Sequence, residues 1–564
     1  MNRLKDGPLP FRALELHGTG IWRRDRVARA IGFMRRHGLN ALVLHESDLV
    51  HHVVYPRALF DPHALWQDAP SRRGENAIFN NRAYLGSVLA MARAAGIEVW
   101  VNVKEIGFSD EVLAVHPEVF KDGAICPSEP FWMDYVAAKT DELLADFPGL
   151  AGLIVSFGSQ ESRASRAQNR CRCALCTEEP LADWYGRLIT TMHGPVVRHG
   201  RGLAVRDFAY KPADHLPLIE AMRDAPEDVV FCIKAMPHDF YLTFPDNPAL
   251  GALERTQWVE YDCLGQFFGW GIMPCLVLED LAERMPRWRT KGASGVILRI
   301  EWERINDLDA LDNLAELNLI AGAALARGEV VTAEAVCQDW LLAHDHPAEA
   351  APWLAGIMVA TLPIVRGAAY LDGFVIADNS MLPRSVARAW WGAEVRDALI
   401  PWAPERDAGL TLDRARLDQL LAEKDRALAS AEALVERVEV GEPGLDPTLH
   451  AAVRGAFADL LPWVKGLGLC VRVCLYCRLI SRMPGPCPEL LTALAQSLDA
   501  VEAYAADIRP LAEDPEVPHQ VTMLIDYRRS LDVVREGRAT LDAMMQPFSS
   551  PSIPAGHPRS RNAG

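Results

Sequence analysis

Carboxylates, basic side chains and thiols that stand where short apolar runs stop are the groups in this sequence that could do chemistry. Glu161 closes GSQE (158–161), Asp239 lies in KAMPHDF (234–240), and Glu260 and Asp262 share QWVEYDCL (257–264). Two carboxyls held in different environments can divide the work of proton donor and proton acceptor. Each also has a structural reading: Glu161 as a loop carboxylate paired with Arg163 or Arg166, Asp239 as a helix cap, and Glu260 as a buried strand carboxylate paired with Lys234 or Arg206. Further polar groups recur at the ends of runs: His45, Glu46 and Asp48; Asn102, Lys104 and Glu105; Glu301 and Glu303. Their number suits a ligand rich in hydroxyls. Trp270 and Trp302 could offer apolar faces to a ligand, although a single Trp is more often packing material.

The thiols form a second group. CRCALC (171–176) has CxCxxC spacing and can supply three thiolates, from Cys171, Cys173 and Cys176, to a structural zinc, with a fourth ligand from elsewhere. Such a metal would fasten the loop that follows Glu161; the alternative is a cysteine-bearing loop without metal. No cofactor is required by the rest of the sequence. Cys470, Cys474 and Cys477 recur at i, i+4 and i+7, one face of a helix, which predicts buried packing rather than ligation.

The elements that must position these groups alternate regularly. Eight runs rich in β-branched and aliphatic residues read as strands: LNALVLH (39–45), IEVWVNV (97–103), LAGLIVSF (150–157), GLAVRDFAY (202–210), DVVFCIKAM (228–236), QWVEYDCL (257–264), IMPCLVL (272–278) and SGVILRIEW (294–302). Continuous apolar runs are expected of strands buried on both faces. Helical patterns such as RVARAIGFMRRHG (26–38) and AYLGSVLAMARAAG (83–96) lie between them and end in Gly. The prediction is an α/β fold, a (β/α)8 TIM barrel over residues 1–310 whose first strand begins near Leu39. An open doubly wound sheet gives a similar rhythm but does not account for eight units with polar clusters after most strands. From Leu311 long helical patterns predict an all-α C-terminal domain over 311–545, followed by a disordered tail, 546–564.

Composition narrows the function. The chain has 564 residues, half of them apolar, with a formal net charge of −17. No Lys/Arg stripe stands out, which argues against nucleic acid as a partner. The opening MNRLKDGPLPFRALELHG has no apolar core of a signal peptide, and the longest apolar stretch, 353–365, is short for a bilayer span. The expectation is a cytoplasmic protein without a membrane partner, its sparse cysteines reduced, with the helical domain offering a surface for a homodimer.

Several of these segments, taken in order, resemble glycoside hydrolase family 67, the α-glucuronidases that remove glucuronic acid side groups from xylan fragments. The most specific is IKAMPHDFYLTFPDNPALGALERTQWVEYDCLGQFFGWG (233–271). LNALVLH, PGLAGLIVSFGSQE (148–161), VRDFAY (205–210) and NLAELNLIAGAALARGEVVTAEAVCQDWL (313–341) support it, so the similarity runs from about Ala28 to Leu342. The family's N-terminal β-domain has no counterpart. The resemblance implies an exo-acting, inverting hydrolase of glycosides in short oligosaccharides, with Glu161 within one position of the acid glutamate, Gln160 at the ungapped match, and Asp239 on a base aspartate. Gln266 falls where the second base carboxylate is expected, and an amide cannot take that proton. Asp239 then works alone, or Glu260 or Asp262 substitutes, or the barrel has become a carbohydrate-binding protein. Arg206 and Lys234 match basic residues that hold the uronic acid, whereas Ser156 replaces a lysine of that clamp. His45, Glu46, Lys104, Trp270 and Glu301 complete the expected substrate contacts. A metal-assisted barrel hydrolase using His45, Glu46 and His51 is the remaining enzyme class.

Overall fold

The computed structural model describes residues 7–46, 49–54, 56–60, 78–121, 123–159, 161–302 and 308–545. Asp48, Gln160, Glu303 and the expected tail at 546–564 lie outside them. Eight parallel strands close into a barrel: β1 Phe11–His17, β2 Ala41–His45, β3 Glu98–Lys104, β4 Leu150–Ser156, β5 Gly202–Arg206, β6 Val230–Lys234, β7 Gln257–Asp262 and β8 Ala293–Arg299.

Seven of the eight predicted runs are strands, and two errors offset each other. The barrel begins at Phe11–His17 rather than near Leu39, because Arg12 and Glu15 interrupt the apolar run of FRALELH and hide the strand. Its register with β2 sets Ala13–His17 against Ala41–His45, so that ALELH lies beside ALVLH. IMPCLVL is no strand. Pro274 lacks an N–H, and the N–H groups of Leu276 and Val277 go to Thr361 Oγ1 and Asn318 Oδ1, each at 2.9 Å, before a helix starts at Leu278.

Helices α1 Arg24–His37, α2 Ile78–Ala94, α3 Phe131–Asp146, α4 Leu181–Arg198, α5 Pro212–Asp224, α6 Leu278–Thr290 and α7 Glu316–Ala326 follow strands around the barrel. The crossover 235–256 between β6 and β7 is irregular instead. α1 stops as its sequence predicts, at Gly38, whose φ of 67° is left-handed and whose N–H caps the Met34 carbonyl. α7 belongs to the barrel although it lies beyond the boundary drawn at 310. Its Gly322 sits against Leu298 of β8, where a Cβ would come within 2.9 Å of the leucine, and its Ala326 carbonyl accepts from Leu9 N–H.

The barrel interior is layered. Phe11 stacks on Trp258 with ring centres 3.6 Å apart, and Trp100 meets Trp258 edge-on at 5.0 Å. Gly152 and Gly202 make room for Trp100, since a Cβ at either would lie 2.4 Å from its ring. Ala13, Val43, Ile154, Ala204, Cys232 and Ile297 fill the next layer. Side chains alternate along a strand, so the following inward positions are Glu15, His45, Asn102, Lys104, Ser156, Arg206, Lys234, Glu260 and Arg299, all buried. The packed floor is apolar and the mouth is polar.

The C-terminal region is helical: α8 Ala333–Ala343, α9 Ala351–Met358, α10 Thr361–Ala369, α11 Arg414–Val440, α12 Pro447–Phe457, α13 Leu460–Ile480, α14 Pro488–Glu513 and α15 Tyr527–Met545, with a small hairpin at Tyr370–Leu371 and Phe374–Val375. Cys470, Cys474 and Cys477 are buried on α13. The helical runs Ala348–Ala369 and Pro447–Ile480 have the length and composition of membrane spans, but 61% and 67% of their most apolar windows are buried inside the fold, as in core helices.

Candidate active site

Every strand, or the loop that follows it, contributes to one cavity at the carboxyl ends of the strands. His17, His45, Lys104, Glu161, Arg206, Phe208, Lys234, Asp239, Gln266, Arg299 and Trp302 line it. Its empty space, counting the open mouth, is about 310 Å³.

One wall is a buried relay of polar groups. His45 Nδ1 lies 3.1 Å from Glu15 and its Nε2 lies 3.0 Å from Lys104 Nζ. An ammonium only donates, so Nε2 accepts and the ring proton sits on Nδ1, donated to Glu15. Burial, then the charges of His17 and Lys104, hold His45 well below its ordinary pKa and keep it neutral. Lys104 also forms an ion pair with Glu161, whose side chain is 41% exposed. The Glu161 loop is anchored from beneath: Gly158, at φ 77°, donates its N–H to Glu105. Burial pushes the Glu105 carboxyl up to about 8, against hydrogen bonds from Ser165 and Gly158.

The opposite wall repeats the theme. Lys234 Nζ donates to Asp239 Oδ1 and to the His238 carbonyl, both at 3.0 Å. His238 takes φ 65°, so the lysine closes a tight, strained turn that turns Asp239 toward the mouth. Asp239 is 16% exposed. Burial lowers the proton affinity of Lys234 and Asp239 partly restores it, while the ammonium sits 3.6 Å above the Phe208 ring.

Two candidate bases are occupied by structural bonds. Arg206 grips both carboxylate oxygens of Glu260 through one edge of its guanidinium, Nε to Oε2 and Nη2 to Oε1, the latter at 2.7 Å, and both side chains are buried. Burial opposes ionisation, but Arg206 outweighs it and holds the Glu260 carboxyl well below the usual carboxylate range. Of the two partners its sequence suggests, Glu260 takes Arg206, and the guanidinium fork expected to meet a uronic acid is committed to it. Asp262 accepts the N–H groups of Leu264, Gly265 and Gln266 at 3.0, 3.2 and 2.7 Å and so shapes the β7 loop. These bonds leave Asp239 as the base candidate that faces the cavity.

Other expected contacts are redistributed. Gln266 lines the cavity, and its carbonyl accepts from Trp270 Nε1 and Ser380 Oγ. Trp270 is fully buried at φ 58°, with Trp302 5.3 Å away; Trp302, not Trp270, reaches the cavity. Glu46 and Glu301 are not among the lining residues. Glu301 instead faces Gly20 and Arg26, 3.7 Å from the latter, its carboxyl raised to about 7 by burial and then by Asp309. His51 packs against Gly107, away from His45, so the expected metal triad is not assembled. Glu15, His17 and His45 do converge within 4.8 Å, but Lys104 donates to a His45 ring nitrogen and the charges of Arg206 and Arg299 act on the same imidazole, which opposes a cation.

Sequence reasoning missed Glu15, His17, Phe208 and Arg299 as site residues. The near-repeat of ALELH and ALVLH was a usable signal for the first two, and a lone arginine inside the apolar SGVILRIEW was one for the last.

Fold and site together define a closed (β/α)-barrel whose polar centre is gathered at the carboxyl ends of its strands, buttressed by an all-α region. No protein-family profile matches the chain, and no curated protein does. Among solved structures, a GH138 enzyme targeting the pectin rhamnogalacturonan II shares the fold with a TM-score of 0.61 at 11% identity, over 95% of this chain and 67% of that one. An O-GlcNAc hydrolase of Thermobaculum terrenum aligns over 95% of both chains at 12% identity with a TM-score of 0.44.

Proposed function

We propose that the protein is an exo-acting glycoside hydrolase that takes an acidic terminal sugar into the barrel mouth, with Glu161 as general acid and Asp239 as general base of an inverting reaction. The observation that carries this reading is the pair of carboxylates lining one small cavity, each held by a lysine that rises from a barrel strand. Glu161, once protonated and released from its ion pair with Lys104, gives that proton to the departing glycosidic oxygen as its bond to the anomeric carbon breaks. Asp239 takes a proton from the water whose oxygen bonds to that carbon. The greater exposure of Glu161 suits the side from which the leaving group departs.

Lys104, Arg206, Lys234 and Arg299 bring cations to the cavity, three of them paired with Glu161, Glu260 and Asp239, and the family 67 resemblance at Arg206 and Lys234 supports an anionic sugar. Ser156, where the family 67 resemblance expects a lysine, pairs in register with Lys104 on the neighbouring strand. Lys104 therefore supplies the missing ammonium from one strand over. A carbohydrate substrate also agrees with the polysaccharide that the GH138 enzyme of like fold targets.

A panel of uronic-acid-containing oligosaccharides and neutral glycosides tests the reading, with proton NMR of the first-formed anomer to detect inversion. On the substrate found, Glu161→Gln should lower turnover by about 10²–10⁴ when the leaving group is poor and largely spare activated aryl glycosides. Equal loss on both counts against Glu161 as acid. Sugar binding without cleavage anywhere in the panel makes the barrel a receptor.

A further inference from the structure

Beyond the mouth, four of the twelve cysteines meet at one point. Cys171, Cys173 and Cys176 come from the β4–α4 loop, and the fourth, Cys126, comes from the β3–α3 loop just after the small hairpin Phe120–Lys121 and Ala124–Ile125. Cys126 Sγ lies 3.5 Å from Cys173 Sγ and 3.4 Å from Cys176 Sγ, and all four sulfurs fall within 4.8 Å of one another. A tetrahedral zinc with bonds of roughly 2.3 Å sets its sulfurs about 3.8 Å apart. A disulfide needs about 2.0 Å, and neither Cys126 contact approaches that.

The surroundings point the same way. Buried cysteines that only fill a core pack among aliphatic side chains, as those of α13 do. These four form a cluster of their own, with Ala124 the one other apolar residue packed into it among the described residues. Four thiolates on a divalent ion carry a net charge of −2, and cations stand nearby: Arg166 donates to the Cys176 carbonyl, Arg172 donates to that of Cys171, and Lys121, paired with Glu129, lies within electrostatic reach of Cys126 and Cys173.

We propose that Cys126, Cys171, Cys173 and Cys176 bind one structural zinc ion, releasing their thiol protons, and that this ion staples the β3–α3 loop to the β4–α4 loop. Those loops leave the strands beside Lys104 and precede or carry Glu161, so the staple stands behind one wall of the mouth. The proposal is independent of the reaction assigned above, because its test reads metal and sulfur rather than turnover.

The full chain, purified without chelator, should contain one zinc per molecule, retained on dialysis against EDTA and released as an organomercurial titrates four thiols. Exchange for cobalt(II) should give thiolate-to-metal charge transfer and intense tetrahedral d–d bands. Cys126→Ser should lose its metal to the same dialysis, while Cys487→Ser, at a cysteine outside the cluster, keeps one per chain. Absence of metal even when zinc is supplied during expression, a cobalt spectrum unchanged by Cys126→Ser, or disulfides among the four in peptide mapping would overturn the proposal.

Discussion

Lys104 shows how much a single side chain can arrange in this barrel. It anchors the proton on His45, lies next to Ser156 in register and meets Glu161 at the mouth. Lys234 does the same for Asp239 through two 3.0 Å bonds. If Asp239 is the base, Asp239→Asn should reduce turnover by about 10²–10⁴, and azide should restore part of it with an azido sugar of inverted configuration. Product of retained configuration would refute the role. GSQE and KAMPHDF could be seen to follow recognisable strands, but it was the family 67 resemblance that singled out Glu161 and Asp239 within them. Which partner Glu260 takes was not legible, since Lys234 and Arg206 both lie at strand ends and only the closed barrel chooses between them.

At the scale of elements, the loops after β4 and β7 are held from below by carboxyls that bond backbone N–H groups, Glu105 to Gly158 and Asp262 to three successive donors. Glu105 has a consequence for stability. Its folded pKa of about 8 lies above the ordinary 4.5, so between those values the folded state binds more protons than the unfolded one. Stability contributed by this group therefore falls as pH rises from about 4.5 to 8, and Glu301, raised to about 7, acts in the same direction. Glu105→Gln mimics the protonated acid and should remove about 1–3 kcal/mol of the loss in unfolding free energy between pH 5 and 8. Denaturant melts at the two pH values check this, and an unaltered pH dependence would sink it. Strand β1 was the element the sequence concealed, because a strand that sends Glu15 and His17 into a polar mouth has lost the apolar signature used to find strands.

At the scale of the molecule, barrel and helical region share their structure more closely than a boundary at 310 implies. α7 covers β8, Ser380 bridges Gln266 and Gly269, and Tyr370 Oη donates to the Phe267 carbonyl, so C-terminal residues hold the β7 loop in place. A chain ending at residue 310 leaves β8 uncovered and exposes apolar surface around Leu298. It should melt without cooperativity by calorimetry; a cooperative, catalytically competent 1–310 fragment would contradict this.

Periodicity determined seven of the eight strands, the alternation with helices and the helical C-terminal region, and it set Arg206 and Lys234 at strand ends with Glu161 and Asp239 in the loops beyond; the family 67 resemblance singled these four out. These are local properties, set by which side chains can face a buried surface at period two or 3.6. Tertiary structure decided the rest. It placed Lys104 beside Ser156, committed Arg206 to Glu260, turned Trp270 inward beneath Trp302, and brought Cys126 to the other three thiols across the 44 residues that separate Cys126 from Cys171. Each of those outcomes depends on barrel closure and strand register, which join residues far apart in sequence and leave no periodic trace in it.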